Sequence, residues 1–123
     1  MIPERGDILH VPIDPATGRE MKGQHYCLVV SPRSFNERFR LAMVCPISGG
    51  AAELARNVGF LVSLMGFGLK TDGAVHAHQV KTLDWATRRA EFVERLEWGA
   101  RFEWQRIKHI VCWGSLRSPP TYA

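Results

Sequence analysis

The sequence predicts a mainly β fold, a small and strongly bent antiparallel β-barrel carrying one C-terminal α-helix. Two observations lead there. Apolar runs of strand length recur along the chain, each bounded by Gly, Pro, Asn or Asp. The period changes to a helical one only near the end, where Ala100, Trp104, Ile107 and Val111 fall on one face with Ile110 beside them. Short strands with one terminal helix make a small barrel the natural way to remove sheet edges.

In chain order, Arg5-Gly6-Asp7 leads into a first strand over residues 8–13, in which Pro12 marks an edge or a bulge. Residues 14–18 are a turn by composition, and Arg19-Glu20-Met21-Lys22 is a charged loop ending at Gly23. His25 then stands at the mouth of a buried second strand, about residues 26–31, stopped by Ser31-Pro32. Residues 33–40 read as a polar, basic connection. A third strand over residues 41–45 is ended by Pro46, followed by the small-residue loop Ile47-Ser48-Gly49-Gly50, of the kind that brings amides and a hydroxyl close to a ligand. Residues 51–57 have the composition for one helical turn. Strands are predicted over residues 60–64, 74–80 and 90–96, and the terminal helix over about 97–112, with Trp98, Phe102 and Trp113 on another side of it. Those aromatics either pack on the barrel or make a second interface. The reading is one domain over residues 1–123: a barrel over about 5–96, the helix, and a loose tail over 115–123.

Bulk properties narrow the function. The chain of 123 residues is 46% hydrophobic and 23% charged, which suits a soluble protein with a core of its own. It has no run approaching the ~20 apolar residues of a membrane helix and no apolar signal core behind Met1, so a cytoplasmic location is expected. Cys27, Cys45 and Cys112 are odd in number and far apart, which reads as buried free thiols rather than a disulfide or metal site. A net charge of +4 suits a polyanionic partner, nucleic acid or an acidic protein.

The residues able to carry chemistry are few. His76 and His78, two apart in the predicted fifth strand, share a face there. They read as partly exposed strand residues, as a pair for a metal that lacks a third ligand nearby, or as acid–base and phosphate-contacting groups. His25 stands alone, and Ser48 lacks the G-x-S-x-G frame of a serine hydrolase. Ser48-Gly49-Gly50 lacks the phosphate-binding lysine of a P-loop, and Gly66-Phe67-Gly68 is only part of a dinucleotide fingerprint. Arg19, Lys22, Lys81, Arg88 and Arg89 together suggest a basic groove.

Several blocks resemble the MazF/PemK/Kid toxins. Arg5-Gly6-Asp7-Ile8, Asp14-Pro15, Gly18-Arg19-Glu20, Gly23 and Leu28-Val29-Val30-Ser31-Pro32 look like that family's N-terminal pattern. Pro46-Ile47-Ser48-Gly49-Gly50 resembles its third-strand loop, and Ala55-Arg56-Asn57 with residues 59–64 is similar to the Kid/PemK branch. Gly73-Ala74-Val75 and residues 79–85 resemble its late strand and turn. The resemblance covers residues 5–89 and implies an SH3-like barrel of the PemK/CcdB type. It implies a homodimer that cuts single-stranded RNA, mRNA included, without a metal or other cofactor, and a cognate antitoxin whose acidic, flexible tail occupies the RNA groove. The nucleotide's own 2′-hydroxyl would attack the adjacent phosphate, leaving a 2′,3′-cyclic phosphate and a 5′-hydroxyl. On this basis His25, His78 and Ser48 are expected to be catalytic. Arg19, Glu20, Lys22, His76, Gln79 and Lys81 are expected to bind substrate.

The chain also departs from the pattern. The family usually has Arg-Pro at His25-Tyr26 and threonine at Ser48; its Kid-like branch has arginine and aspartate at His76 and His78, and a histidine at Arg19. Imidazole for guanidinium gives up a permanent charge and gains a group that takes and gives a proton near neutral pH. Two alternatives therefore stand: a binding-only toxin of the same fold, as in gyrase poisons whose activity lies at the end of the terminal helix (residues 107–114 here), or a catalytically weakened member that binds an antitoxin.

Overall fold

A computed structural model describes residues 1–12, 24–49, 60–97 and 104–116, and for Pro12, Gln24, His25 and residues 112–116 the backbone alone. The element order is β1 (Asp7–Pro12), β2 (Gln24–Val29), α1 (Arg33–Phe39), β3 (Ala42–Ser48), β4 (Leu61–Ser63), β5 (Ala74–His76), a single 3-10 turn (Ala77–Gln79), β6 (Lys81–Leu83), β7 (Glu91–Arg95) and α2 (Trp104–Leu116). The strands form one antiparallel sheet in the order β4-β5-β3-β2-β1-β7, with β6 pairing β3 beside β5.

Alternation along the strands gives the sheet two apolar faces. Ile8, Leu28, Cys45, Ile47, Val62 and Val75 point one way and pack against Leu96 and against Ile107 and Ile110 of α2. Leu9, Val11, Cys27, Val29, Ala42 and Val44 point the other way and pack with Leu83 and Trp85. The helical spacing of Ile107, Ile110 and Val111 is thus what seats α2 on the sheet.

The expected barrel is not closed. Closure needs hydrogen bonds between the first and last strands, and among the described residues β4 and β7 are the two ends of the sheet. Side chains span the gap instead: Glu94 of β7 accepts from the amides of Lys70 and Thr71 and from the Thr71 hydroxyl, in the segment that follows β4.

Three further expectations change. Residues 33–40 hold a helix, α1, stabilised by contact of the tilted Phe35 and Phe39 rings 5.1 Å apart and an Arg33–Glu37 pair one turn apart. Asn36 of that helix is fully buried. Pro46 does not end β3 but lies inside it, opposite Cys27. Val30 N donates to Met43 O, so in the alternating ladder the Cys27–Pro46 pair is a non-hydrogen-bonded one, and position 46 turns its nitrogen away from β2. On that other side β6 has ended at Val44 and β5 begins at Ile47, so the missing N–H breaks no ladder bond. The predicted strand over 74–80 is broken by the 3-10 turn into β5 and β6. Pro12 closes β1 beyond its last partner in β7, consistent with an edge position.

Cys27 and Cys45 are buried free thiols, each pushed up to about 12 by burial, so neither is poised as a nucleophile. Among the described residues no helix is long and apolar enough to cross a membrane. The turn expected at 14–18, the helical turn at 51–57, Trp98, Ala100, Phe102, the Trp113 side chain and residues 117–123 lie outside the described residues, while residues 115 and 116, expected in a loose tail, are the last of α2.

Candidate functional site

The far end of β3 collects the polar residues. Ser48 closes that strand and pairs with Ala74 of β5, and His76 lies two residues on. Val44, four residues before Ser48, pairs with Lys81 of β6. Directly opposed residues share a face and alternate residues return to it, so Ser48, His76 and Lys81 lie on the same side of the sheet. Gly73 makes this end possible. Its φ is +121°, and a Cβ there would collide with the Ser48 carbonyl.

The 3-10 turn then folds the chain back on itself. His78 lies on the turn and not on a strand face, yet its ring centroid is 5.6 Å from that of His76. The Gln79 amide nitrogen lies between them, 3.5 Å from His76 Nδ1 and 3.3 Å from His78 Nε2. An amide nitrogen only donates, so both facing ring nitrogens accept. With the amide so oriented, a neutral His76 would carry its proton on Nε2 and a neutral His78 on Nδ1. The two buried atoms left over, His76 Nε2 and Gln79 Oε1, have no hydrogen-bond partner. Burial, reinforced by the neighbouring His78, holds His76 below the usual histidine pKa, so it is neutral at pH 7. His78 is exposed.

Two contacts at this site were not legible in the sequence. Phe60, read there as an ordinary strand residue, sets its ring 5.8 Å from that of His78. Arg106 of α2 donates to the carbonyl of Leu61, the register partner of His76, and so ties the terminal helix to this edge. Both depend on β4–β5 pairing, for which no short motif exists.

The remaining expected residues are placed less closely. His25 pairs with Val11, and one further step along the β2–β3 register from Tyr26–Ile47 sets its backbone opposite Ser48. Arg19, Glu20 and Lys22 lie outside the described residues. His76, His78 and Gln79 are thus in direct contact, with Ser48 and Lys81 on the His76 face. Among the described residues no three His, Cys, Asp or Glu side chains gather as a metal site.

An antiparallel sheet backed by a C-terminal helix, with imidazoles, a hydroxyl and a lysine at one strand end, defines a class of small mainly β proteins with a polar edge site. The chain belongs to the family of PemK-like, MazF-like toxins of type II toxin–antitoxin systems, whose model matches residues 4–99. It is 41% identical over 93 residues to the endoribonuclease PemK of Escherichia coli, covering 76% of this chain and 69% of that protein. The fold is similar to the crystal structure of MazF from Deinococcus radiodurans, with a TM-score of 0.77, 27% identity and coverage of 95% of this chain and 97% of that one. A MazE–MazF structure from the same organism is similar too, at a TM-score of 0.70 and 26% identity over 95% of this chain and 97% of that one.

Proposed function

We propose that this chain is the endoribonuclease toxin of its type II system, a single cytoplasmic domain that cuts single-stranded RNA by attack of a ribose 2′-hydroxyl on the adjacent phosphate. The observation that carries the reading is the His76–Gln79–His78 contact, with two buried polar atoms lacking a protein partner, in a chain 41% identical to an endoribonuclease. Buried polar groups are ordinarily satisfied, and an unsatisfied pair at a strand end is a place for a polar ligand.

The chemistry needs a base for the 2′-hydroxyl proton, an acid for the departing 5′-oxygen and donors for the charge on phosphorus. His25 and His78 share the proton transfers. One takes the hydroxyl proton as the new O–P bond forms; the other gives a proton to the 5′-oxygen as its bond to phosphorus breaks. The products are a 2′,3′-cyclic phosphate and a 5′-hydroxyl. Ser48 donates to a phosphate oxygen. His76, neutral at pH 7, acts on the phosphate as an N–H donor through Nε2 rather than as a cation, while Arg19, Lys22 and Lys81 supply the positive charge. Glu20 and Gln79 contact bases or order the site. None of these steps draws on a metal or cofactor. The protein works as a homodimer and is held silent by an antitoxin whose acidic tail competes for the same groove.

The test is to incubate purified protein with mixed-sequence RNA in excess chelator and map the ends. Defined cuts bearing cyclic-phosphate and 5′-hydroxyl ends, lost in His25→Ala and in His78→Ala, are expected. RNA left intact by a folded protein that still binds an acidic-tailed partner would sink the enzyme reading in favour of a weakened member. Intact RNA with stalled gyrase complexes would favour the binding-only toxin.

A further inference from the structure

Away from this site, the end of α1 meets the turn that follows β6. Trp85 Nε1 donates to the Asn36 carbonyl, which fixes the turn against the helix. The turn is wound by bonds from Arg88 N to Asp84 O, Arg89 N to Ala86 O and Ala90 N to Trp85 O. Phe39, the last residue of α1, is 54% exposed. Arg38 holds its guanidinium 5.8 Å from the Phe39 ring centroid, and Arg40 lies 4.6 Å over the Trp85 ring. Arg88 and Arg89 stand on the same turn. The acidic group among them, Asp84, is engaged by the amide and hydroxyl of Thr87.

The backbone adds a separate observation. Among the described residues the non-glycine positions with positive φ are two, Arg40 at +56° and Arg89 at +55°. Both are arginines and both belong to this patch. Left-handed backbone favours glycine, and strain of this kind persists where a side chain is needed for something else. Arg40 is the left-handed C-cap of α1 and covers Trp85. Arg89 is the left-handed residue that closes the turn from Trp85 to Ala90, a position glycine fills more easily, and its side chain is exposed.

We propose that this patch is a second contact for single-stranded RNA, with Phe39 as a stacking platform and the guanidinia of Arg38, Arg40 and Arg89 on the phosphates beside it. The inference rests on the ribonuclease reading above and extends it. An exposed aromatic with an arginine against its ring and further arginines on the adjoining turn suits a base and its phosphates better than it suits an acidic peptide, which needs only the charge. β6 links the patch to the candidate site along the chain. β6 starts at Lys81, two residues beyond Gln79, and runs into the Asp84 turn. Its three residues span about 10 Å, the length of about three stacked nucleotides.

The experiment measures binding of a labelled, mixed-sequence, 2′-O-methyl RNA, which cannot be cut, across a range of salt. Arg89→Gly removes one charge and the strain together. The urea midpoint is expected to rise, while RNA affinity falls about threefold and the log–log salt slope becomes shallower by about 0.7. Phe39→Ala is expected to lose about tenfold in affinity with an unchanged salt slope. Arg33→Gln, at the other end of α1, removes the same charge and is expected to leave both quantities at wild-type values. Three results would overturn the proposal: wild-type binding by Arg89→Gly and Phe39→Ala, an equal loss in Arg33→Gln, or patch-dependent capture of a polyglutamate peptide without any effect on RNA. Wild-type protein that neither binds nor cuts RNA defeats the ribonuclease reading itself. Wild-type protein that does both, alongside unaffected patch variants, defeats only this one.

Discussion

The two ends of β3 handle buried polarity in opposite ways. Where the strand begins, Ser31 and Asn36 form a closed network. Ser31 Oγ donates to Asn36 Oδ1 and accepts from Met43 N, and Asn36 Nδ2 donates to the carbonyls of Pro3 and Ser31. Where the strand ends, the Gln79 amide reaches two imidazoles at 3.3 and 3.5 Å, and two further buried atoms are left unmatched. A satisfied network specifies a fold, whereas an unsatisfied one costs stability unless a ligand completes it. The first end therefore holds the N-terminus, α1 and β3 together, and the second, on the function proposed above, is completed by substrate.

This contrast is broken most directly at its stable end. Asn36→Leu deletes both donations and strands the Pro3 carbonyl and the Ser31 hydroxyl in the interior. A loss of about 3 kcal/mol is expected in urea unfolding, with the m-value unchanged. A loss below about 1 kcal/mol would mean that the network is incidental. At the other end His78→Ala is expected to do the reverse. Its exposed ring contributes little to folding, within about 0.5 kcal/mol, while RNA cleavage falls about a hundredfold. Comparable losses of stability in both variants would erase the distinction between the two ends.

Much of the stable end was legible in the sequence and less of the polar end. Continuous apolar runs reveal β1, β2 and β3 because each is buried on both faces through residues such as Leu28 and Val29 or Val44 and Cys45. The helix α1 was missed because its anchor is an asparagine, which looks like surface until Ser31 and Pro3 are brought to it in space. The run over 74–83 holds no glycine or proline after Gly73 to announce the 3-10 turn, so it reads as one strand. His76 and His78 were expected to share a strand face; His78 lies on the turn instead, which brings the rings together by another route. Ser48 and Lys81 join them only through β3 pairing with β5 and β6, and register between distant segments has no local signature. The open sheet has the same cause: short strands predict a bent sheet but not which strands meet at its seam.

Acid should sharpen the comparison from the polar side. His76 has a folded pKa below its unfolded value of about 6.5, because burial first and the charge of His78 second disfavour the imidazolium. Between those two pKa values the unfolded chain binds more protons, so stability rises with pH. The contribution is complete above pH 6.5 and is lost as pH falls through the folded value. His76→Asn should lack that part of the acid slope, seen as a flatter plot of urea midpoint between pH 5 and 7.5. An unchanged slope would place the acid sensitivity elsewhere.

The smallest effect, and the most specific, concerns where two protons sit. Because Gln79 offers N–H groups to both rings, the wild-type protein should show His76 as the Nε2–H tautomer and His78 as the Nδ1–H tautomer in imidazole 15N spectra near pH 7.5. Gln79→Glu replaces the donor with an acceptor of nearly the same shape. Both facing nitrogens must then carry the proton, which inverts both tautomers. Stability should move by less than about 1 kcal/mol, since the side chain makes no other hydrogen bond among the described residues. Cleavage should fall, because each neutral ring would then turn a lone pair, and not an N–H, away from residue 79 and towards the substrate. If the tautomers are the same in both proteins, Gln79 does not organise the pair, and the unmatched atoms at this end of β3 are a packing defect rather than a prepared site.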